Sequence, residues 1–335
     1  MITSSGAFFS NSVRQGDSMR VQPSFGAVNT AALQPVEGTH LGKKVEYKFD
    51  YDPTLLVPVP RQENRNLINV KNDNLPFIGN DVWNAYEVSA LTTNGLPYCG
   101  VAKIVYPCNS EFLVESKSLK LYLNSFNMTK IQNDVHSTSR ELEIRIGTDL
   151  SAVLKTNVKV KCFTIGEVGE DVVNTLDYVN LDNEVRVKYP DLACSIYNED
   201  PNILVCHNNT MSENNFTKES RYVSHTLRSN CKITKQPDWG TVYIKYNSEQ
   251  TIKIDSLFQY IVSFRNEAHF HEEICETIFK RLFDVLKPKD LLVACFYTRR
   301  GGIDINPIRA TSWKYLKEFD PYMDERVRSF KHHRQ

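Results

Sequence analysis

Apolar positions along this chain follow two rhythms, and the switches between them predict its elements. Glu87-Val88-Ser89-Ala90-Leu91, the turn Thr93-Asn94-Gly95 and Val101-Ala102-Lys103-Ile104-Val105-Tyr106 read as a β-hairpin with Asn-Gly at its bend. The period then lengthens. Leu119, Tyr122, Leu123 and Phe126 recur at helical spacing, residues 136–154 give a second amphipathic helix, and residues 158–163 return to a strand. The second half repeats the order. Residues 241–246 alternate as a strand, residues 271–286 carry Ile274, Ile278, Leu282 and Val285 on one helical face, and residues 291–297 form a buried strand. Paired strands with backing helices, seen twice, predict an α+β fold built by duplication of architecture with little shared residue identity.

Around these halves the pattern fades. Residues 1–40 bear Ser, Asn and Gly with no period and read as a mobile N-terminal extension, and Leu75-Pro76-Phe77 is expected to open the first ordered stretch. Residues 41–164 form the first module and residues 218–335 the second. The Asn- and Asp-rich residues 165–217 between them are expected to be a linker with some local strand. A length of 335 residues suits two modules.

Bulk chemistry excludes more than it assigns. Forty Lys and Arg balance forty Asp and Glu, so no whole-chain field points to duplex nucleic acid as a partner. No apolar run suggests a membrane span, and residues 1–40 lack the apolar core of a signal peptide. Eight scattered cysteines without CxxC spacing indicate neither a zinc ribbon nor a disulfide framework, and no metal is expected. The chain reads as cytoplasmic.

The most informative stretch is Ser229-Asn230-Cys231-Lys232-Ile233-Thr234-Lys235-Gln236-Pro237-Asp238-Trp239-Gly240. It sets a thiol and a carboxylic acid one Pro-punctuated turn apart. A cysteine attacks as thiolate and needs a partner that handles protons, a role open to Asp238 in a partly desolvated turn. On spacing alone, a small buried structural cysteine is the commoner reading. Three further segments bear on it: Val114-Glu115-Ser116-Lys117-Ser118-Leu119-Lys120-Leu121-Tyr122; Ser263-Phe264-Arg265 with Phe270-His271-Glu272; and Tyr297-Thr298-Arg299-Arg300-Gly301-Gly302-Ile303-Asp304-Ile305-Asn306-Pro307.

Together, and in this order, these motifs resemble the NADPH-dependent nitrile reductases that act on 7-cyano-7-deazaguanine in queuosine biosynthesis, in their long two-module form. The resemblance runs from about Leu41 to the C-terminus. It implies two tandem tunnelling-fold modules, antiparallel sheets backed by helices. It also implies reduction of the nitrile to an aminomethyl group through a thioimidate on Cys231 and two hydride transfers from NADPH, with Asp238 and His271 handling protons. The substrate would be a free deazapurine, the assembly a homodimer.

Under that resemblance Glu272 accepts the N–H edge of a guanine-like base, with His271 beside it and Phe270 stacked on the ring. Glu115, with the Val114 and Ser116 backbone, closes the opposite edge. No GxGxxG occurs, so a Rossmann phosphate site is excluded at motif level. Ser116, Lys117, Arg300 and Gly301 match the family's cofactor positions; guanidinium binds phosphate through parallel bonds, and glycine allows close approach. One site using both sets of residues would lie between the modules, within a chain or across a dimer.

The chain departs from the family at two places. His269 stands where an acidic residue is usual. Ile274 stands where many members carry a cysteine, with Cys275 one step on, about a quarter-turn away on a helix, which puts a protective disulfide with Cys231 in doubt. Three other classes compete: a zinc-dependent purine or pterin hydrolase, for which His225 and Cys231 make a poor ligand set; an amidine-forming relative that uses the thioimidate without NADPH; and a non-catalytic deazapurine-binding protein, which would need neither Cys231 nor Asp238.

Overall fold

In the computed structural model, residues 50–164, 176–208 and 218–327 are described. The expected extension over residues 1–40 lies outside them. Order begins well before Leu75: Asp52 caps a short 3-10 turn, Pro58–Pro60 pairs antiparallel with Phe112–Val114, and Gln62–Leu67 is helical. These pieces are too short to show a period.

Among the described residues, ten strands form one continuous sheet. Its main path runs Ala268–His269, Arg228–Cys231, Pro237–Ser248, Asp290–Tyr297, Ile303–Ala310, Ile78–Leu91, Pro97–Pro107, Lys159–Thr164. Lys218–Ser224 pairs with the far half of Pro237–Ser248. The predicted hairpin is present and longer than its alternating residues indicate, with a register shift between Ala85 and Val88. Gly95 takes a positive φ of 87° in the loop after it.

Each half buries its helices against its own part of the sheet. In the first, Ser116–Ser125 and Val135–Leu154 set Leu119, Tyr122, Leu123, Leu142, Ile146 and Leu150 against Trp83, Ala102 and Ile104. In the second, Ile254–Ser263 and His271–Leu286 set Leu257, Ile261, Ile274, Ile278 and Leu282 against Val242, Ile244, Val293 and Cys295. Alternate residues of the same strands, among them Tyr243, Ala294 and Phe296, face the other way. They pack under Leu316, Phe319 and Tyr322 near the C-terminus.

The two halves join through one strand pair. Ile303–Ala310 runs antiparallel to Ile78–Leu91, with Pro307 opposite Asp81 and Arg309 opposite Gly79. A Cβ on Gly79 would lie 2.0 Å from the Ile308 carbonyl oxygen, so only glycine lets the strands approach so closely here.

Behind this junction lies a buried ionic cluster. Arg65 and Arg309 both donate to Glu276, at 2.8 and 2.9 Å, while Asp81 bridges Arg309, at 2.8 Å, and Arg61. Burial pushes the Glu276 carboxyl up, but Arg309, Arg65 and Arg61 outweigh that and hold it at about 2.

The segment expected as a linker with some local strand carries the short strands Val179–Asn180 and Cys206–Asn208 and also a helix. Leu181–Lys188 is a helix whose first turn is capped by the Asn180 side chain at 3.0 Å, and Leu181 and Val185 enter the second half's core. Two apolar contacts one turn apart, among Asn and Asp, are too few to read as amphipathic. Its residues 165–175 and 209–217 lie outside the described set.

Candidate active site

Cys231 ends the strand Arg228–Cys231, and the chain then folds back on itself. The Cys231 N–H donates to the Gln236 carbonyl at 2.8 Å and the Lys235 N–H to the Cys231 carbonyl at 3.0 Å, with Lys235 at φ 58°. The return strand pairs Asp238 with Ser229. On its other side Arg228–Cys231 runs parallel to Ala268–His269, with His269 in register with Cys231. The sequence therefore folds the thiol and the acid onto one edge, as their spacing suggests.

Burial raises the thiol's pKa. Hydrogen bonds from the Thr234 hydroxyl and N–H, the Arg300 guanidinium and the Ile233 N–H outweigh that, and the net effect holds Cys231 below the ordinary thiol value. The Thr234 N–H lies 3.5 Å from the sulfur. Asp238 is buried, 5% exposed, and meets two partners: the Arg300 guanidinium at 2.9 Å on Oδ1 and His271 Nε2 at 3.3 Å on Oδ2. His271 opens the helix His271–Leu286 and stacks flat on Tyr297, ring centroids 3.7 Å apart. Its Nδ1 has no hydrogen-bond partner among the described residues.

These groups line a cleft of about 400 Å³. The second half supplies Cys231, Asp238, His269, Phe270, His271, Arg300 and Gly301; the first supplies Ser116, Lys117 and Lys120 from the start of the helix Ser116–Ser125. The junction between halves thus puts both sets of predicted residues on one cleft within a single chain. Ile303 and Ile305 complete the wall.

Three predicted residues stand behind the wall. Val114 is buried beneath it. Glu115 is 1% exposed and caps its own helix, accepting from the Lys117 N–H at 2.9 Å and the Ser118 N–H at 2.7 Å. Glu272 is 2% exposed, and its Oε1 has no partner among the described residues. Burial pushes its carboxyl up to about 8, and Asp81 adds to the rise against Arg61 and Arg309. Cys275 is fully buried, its thiol directed at the Val293 and Pro307 carbonyls, 3.6 and 3.5 Å away.

Arg300 has contacts beyond the role expected of it. Read as a cofactor residue, it binds Asp238 and supports the Cys231 thiolate here. Its side chain is still 37% exposed at the cleft. Residues not singled out from sequence are Thr234 and Lys120; His269, noted there only as a departure from the family, also stands on the cleft. Lys120 donates to the Gly301 carbonyl at 2.7 Å and to Glu87 at 3.1 Å, clasping the Arg300–Ile303 turn to the first half. Its spacing of three from Lys117 on a helix was the available signal.

The fit to a polyanionic cofactor rests on the same turn. Gly301 and Gly302 take positive φ values of 61° and 77°, and a Cβ on Gly302 would overlap the Glu87 carboxyl at 2.5 Å. The cations Lys117, Lys120 and Arg300 line the cleft beside the Gly301 turn, a donor set suited to phosphates. Among the described residues, no group of three His, Cys, Asp or Glu is placed to hold a metal ion, and no helix is long and apolar enough to cross a membrane.

Comparison with known proteins supplies the family context. The family model for "Nitrile reductase, 7-cyano-7-deazaguanine-reductase N-term" matches residues 47–162, and that for "QueF-like protein" matches residues 237–315. Proteins named NADPH-dependent 7-cyano-7-deazaguanine reductase from Rickettsia massiliae and Rickettsia felis are each 41% identical over 85% of this chain and 97% of their own length. One of the same name from Cupriavidus metallidurans is 41% identical over 83% of this chain and 95% of its own.

Proposed function

Because the chain belongs to the NADPH-dependent 7-cyano-7-deazaguanine reductase family, we propose that its cleft reduces the nitrile of 7-cyano-7-deazaguanine to an aminomethyl group, in the tRNA queuosine pathway, through a thioimidate on Cys231. The chain is an oxidoreductase of that family. The observation that carries the mechanistic reading is the Cys231 thiol, held below its ordinary pKa, in one cleft with the Asp238–His271 pair.

In this reading the Cys231 thiolate adds to the nitrile carbon. One carbon–nitrogen π bond breaks, and its electrons go to nitrogen, which takes a proton from the Asp238–His271 pair to give the neutral thioimidate. NADPH, when bound, supplies the hydride for each of two reductions. Between them the carbon–sulfur bond breaks, an imine remains, and the thiolate returns to the hydrogen bonds of Thr234 and Arg300. The pair again delivers protons to nitrogen as the amine forms. Phe270 stacks on the base plane and the Ser116 backbone meets an edge, while Glu272 and Glu115, given with Val114 for the base edges by the family resemblance, stand behind the wall here, so that holding the base requires Glu115 to leave its cap and Glu272 to turn into the cleft. Ser116, Lys117, Arg300 and Gly301 hold the cofactor.

The same reading takes residues 41–164 and 218–335 as tandem tunnelling-fold modules, and the assembly as a cytoplasmic homodimer acting on the free deazapurine without metal. The test is oxidation of NADPH with the nitrile present. Two NADPH consumed per aminomethyl product supports it, and no oxidation contradicts it.

Two further outcomes follow. Lys117→Ala should raise the NADPH KM while leaving covalent capture of the nitrile unchanged. Arg300→Ala should raise the same KM and also slow capture, because Arg300 supports both the thiolate and Asp238. Rapid-mixing capture beside NADPH titration separates these effects.

Glu272 gives a pH dependence. A carboxyl accepts two N–H groups only when ionised, so nitrile affinity should rise as pH approaches about 8, with a proton released on binding. Because the folded pKa is raised, the stability this group contributes is complete below 4.5 and lost as pH rises through about 8. Glu272→Gln should flatten both trends, read by calorimetry in a Cys231→Ala background and by urea unfolding against pH.

A further inference from the structure

His269 stands on the cleft wall, in register with Cys231 and two residues before His271. Its Nε2 lies 3.1 Å from Glu267 Oε2 and its Nδ1 lies 3.2 Å from Glu273 Oε2. Each carboxylate is tied elsewhere by its other oxygen. Glu267 Oε1 accepts from the Glu199 N–H at 3.0 Å and from Asn198 at 3.3 Å. Glu273 Oε1 accepts from Lys232 at 2.9 Å, in the turn that follows the nucleophile. Glu273 Oε2 also takes the Phe270 N–H at 3.0 Å and so caps the helix that His271 opens. The imidazole is thus the middle link between the 198–199 segment, the nucleophile turn and the start of that helix.

We propose that His269 is a positioning residue that latches the nucleophile turn and the His271 helix together when it carries two N–H donors, and releases one of them when it carries one. This rests on the functional reading above for its consequence in nitrile capture, though not for the latch itself. A protonated imidazole donates from both nitrogens and satisfies both carboxylates. A neutral one donates from a single nitrogen and turns a lone pair toward the other carboxylate, so one contact opens. Losing the Glu273 side loosens Lys232, the helix cap and Phe270 at once; losing the Glu267 side frees the strand from the 198–199 segment. Either change moves Cys231 relative to Asp238 and His271.

The groups facing the imidazole are Glu267 on its own strand, Glu273 on the helix, Lys232 on the turn and Cys231 across the strand pair, with Glu199 behind Glu267. Burial pushes the imidazole's pKa down, but Glu273 and Glu267 outweigh that and raise it. The latch is therefore closed at low pH and opens as pH rises through that raised value.

The test uses iodoacetamide on Cys231 across pH, in the full chain and in His269→Gln, with histidine NMR giving the imidazole's midpoint. Dividing each rate by the thiolate fraction, read in the same protein from the thiolate's ultraviolet absorbance, removes the thiolate's own titration before the two are compared. The ratio of native to variant should bend at that midpoint, changing by about ten- to a hundredfold, the range one charge-assisted hydrogen bond can place on a local equilibrium. Nitrile capture should show the same bend. A ratio flat across pH, or an imidazole midpoint at or below about 6.5, overturns the latch. Should His269→Gln fail to fold, His269→Asn and the NMR midpoint carry the same test. A bend with iodoacetamide but no nitrile adduct keeps the latch and removes the proposed substrate.

Discussion

Replacing Cys231 with alanine is expected to abolish nitrile reduction while the protein stays folded and still binds NADPH. The side chain is small, and the turn around it is held by backbone bonds from Cys231 to Gln236 and from Lys235 to Cys231, which alanine keeps. What alanine removes is the one atom of the protein that, in the proposed mechanism, bonds to the nitrile carbon. Deleting a covalent nucleophile costs on the order of 10⁴-fold or more in turnover. Steady-state NADPH oxidation, with thermal unfolding and NADPH titration as controls, reads the effect. Turnover within tenfold of the native protein would remove Cys231 from the chemistry.

Asp238→Asn should lower the rate of covalent capture by about a hundred- to ten-thousand-fold, the usual contribution of general acid catalysis. The substitution keeps the shape of a buried side chain held between Arg300 and His271. It removes the group through which the pair passes a proton to nitrogen. Nitrile affinity, measured in a Cys231→Ala background, should change little. Single-turnover capture is the measurement. Near-native capture by the Asn variant would shift the proton to His271, whose Nε2 faces Asp238 and whose ring is fixed against Tyr297.

The chemistry of this cleft was legible because its residues come in short local groups. Cys231 and Asp238 lie on one tight return, and the helix His271–Leu286 matches its predicted span because Ile274, Ile278 and Leu282 repeat at one face. The hairpin and the helices of the first half follow from the same periodicities. What could not be read is what distant segments do to one another. Arg65 meets Glu276 across 211 positions, and nothing local in either stretch reports the pair. The pairing of Ile303–Ala310 with Ile78–Leu91, which builds the cleft between the halves, is likewise non-local.

Glu115 illustrates the opposite difficulty. A carboxylate before a helix can cap that helix or face a ligand, and the sequence holds both possibilities. Here its oxygens accept the Lys117 and Ser118 N–H groups. His269 stands out in sequence by its type and as a departure from the family's usual acid. The two carboxylates that flank it, Glu267 and Glu273, give it a setting that spacing alone does not reveal.

The central claim is that Cys231 captures the nitrile covalently, and intact-protein mass spectrometry without NADPH tests it most directly. The account predicts a gain of one 7-cyano-7-deazaguanine mass, mapped by peptide analysis to Cys231 and absent in Cys231→Ala. An unchanged mass under saturating nitrile, or an adduct on another cysteine such as the exposed Cys99, would contradict it.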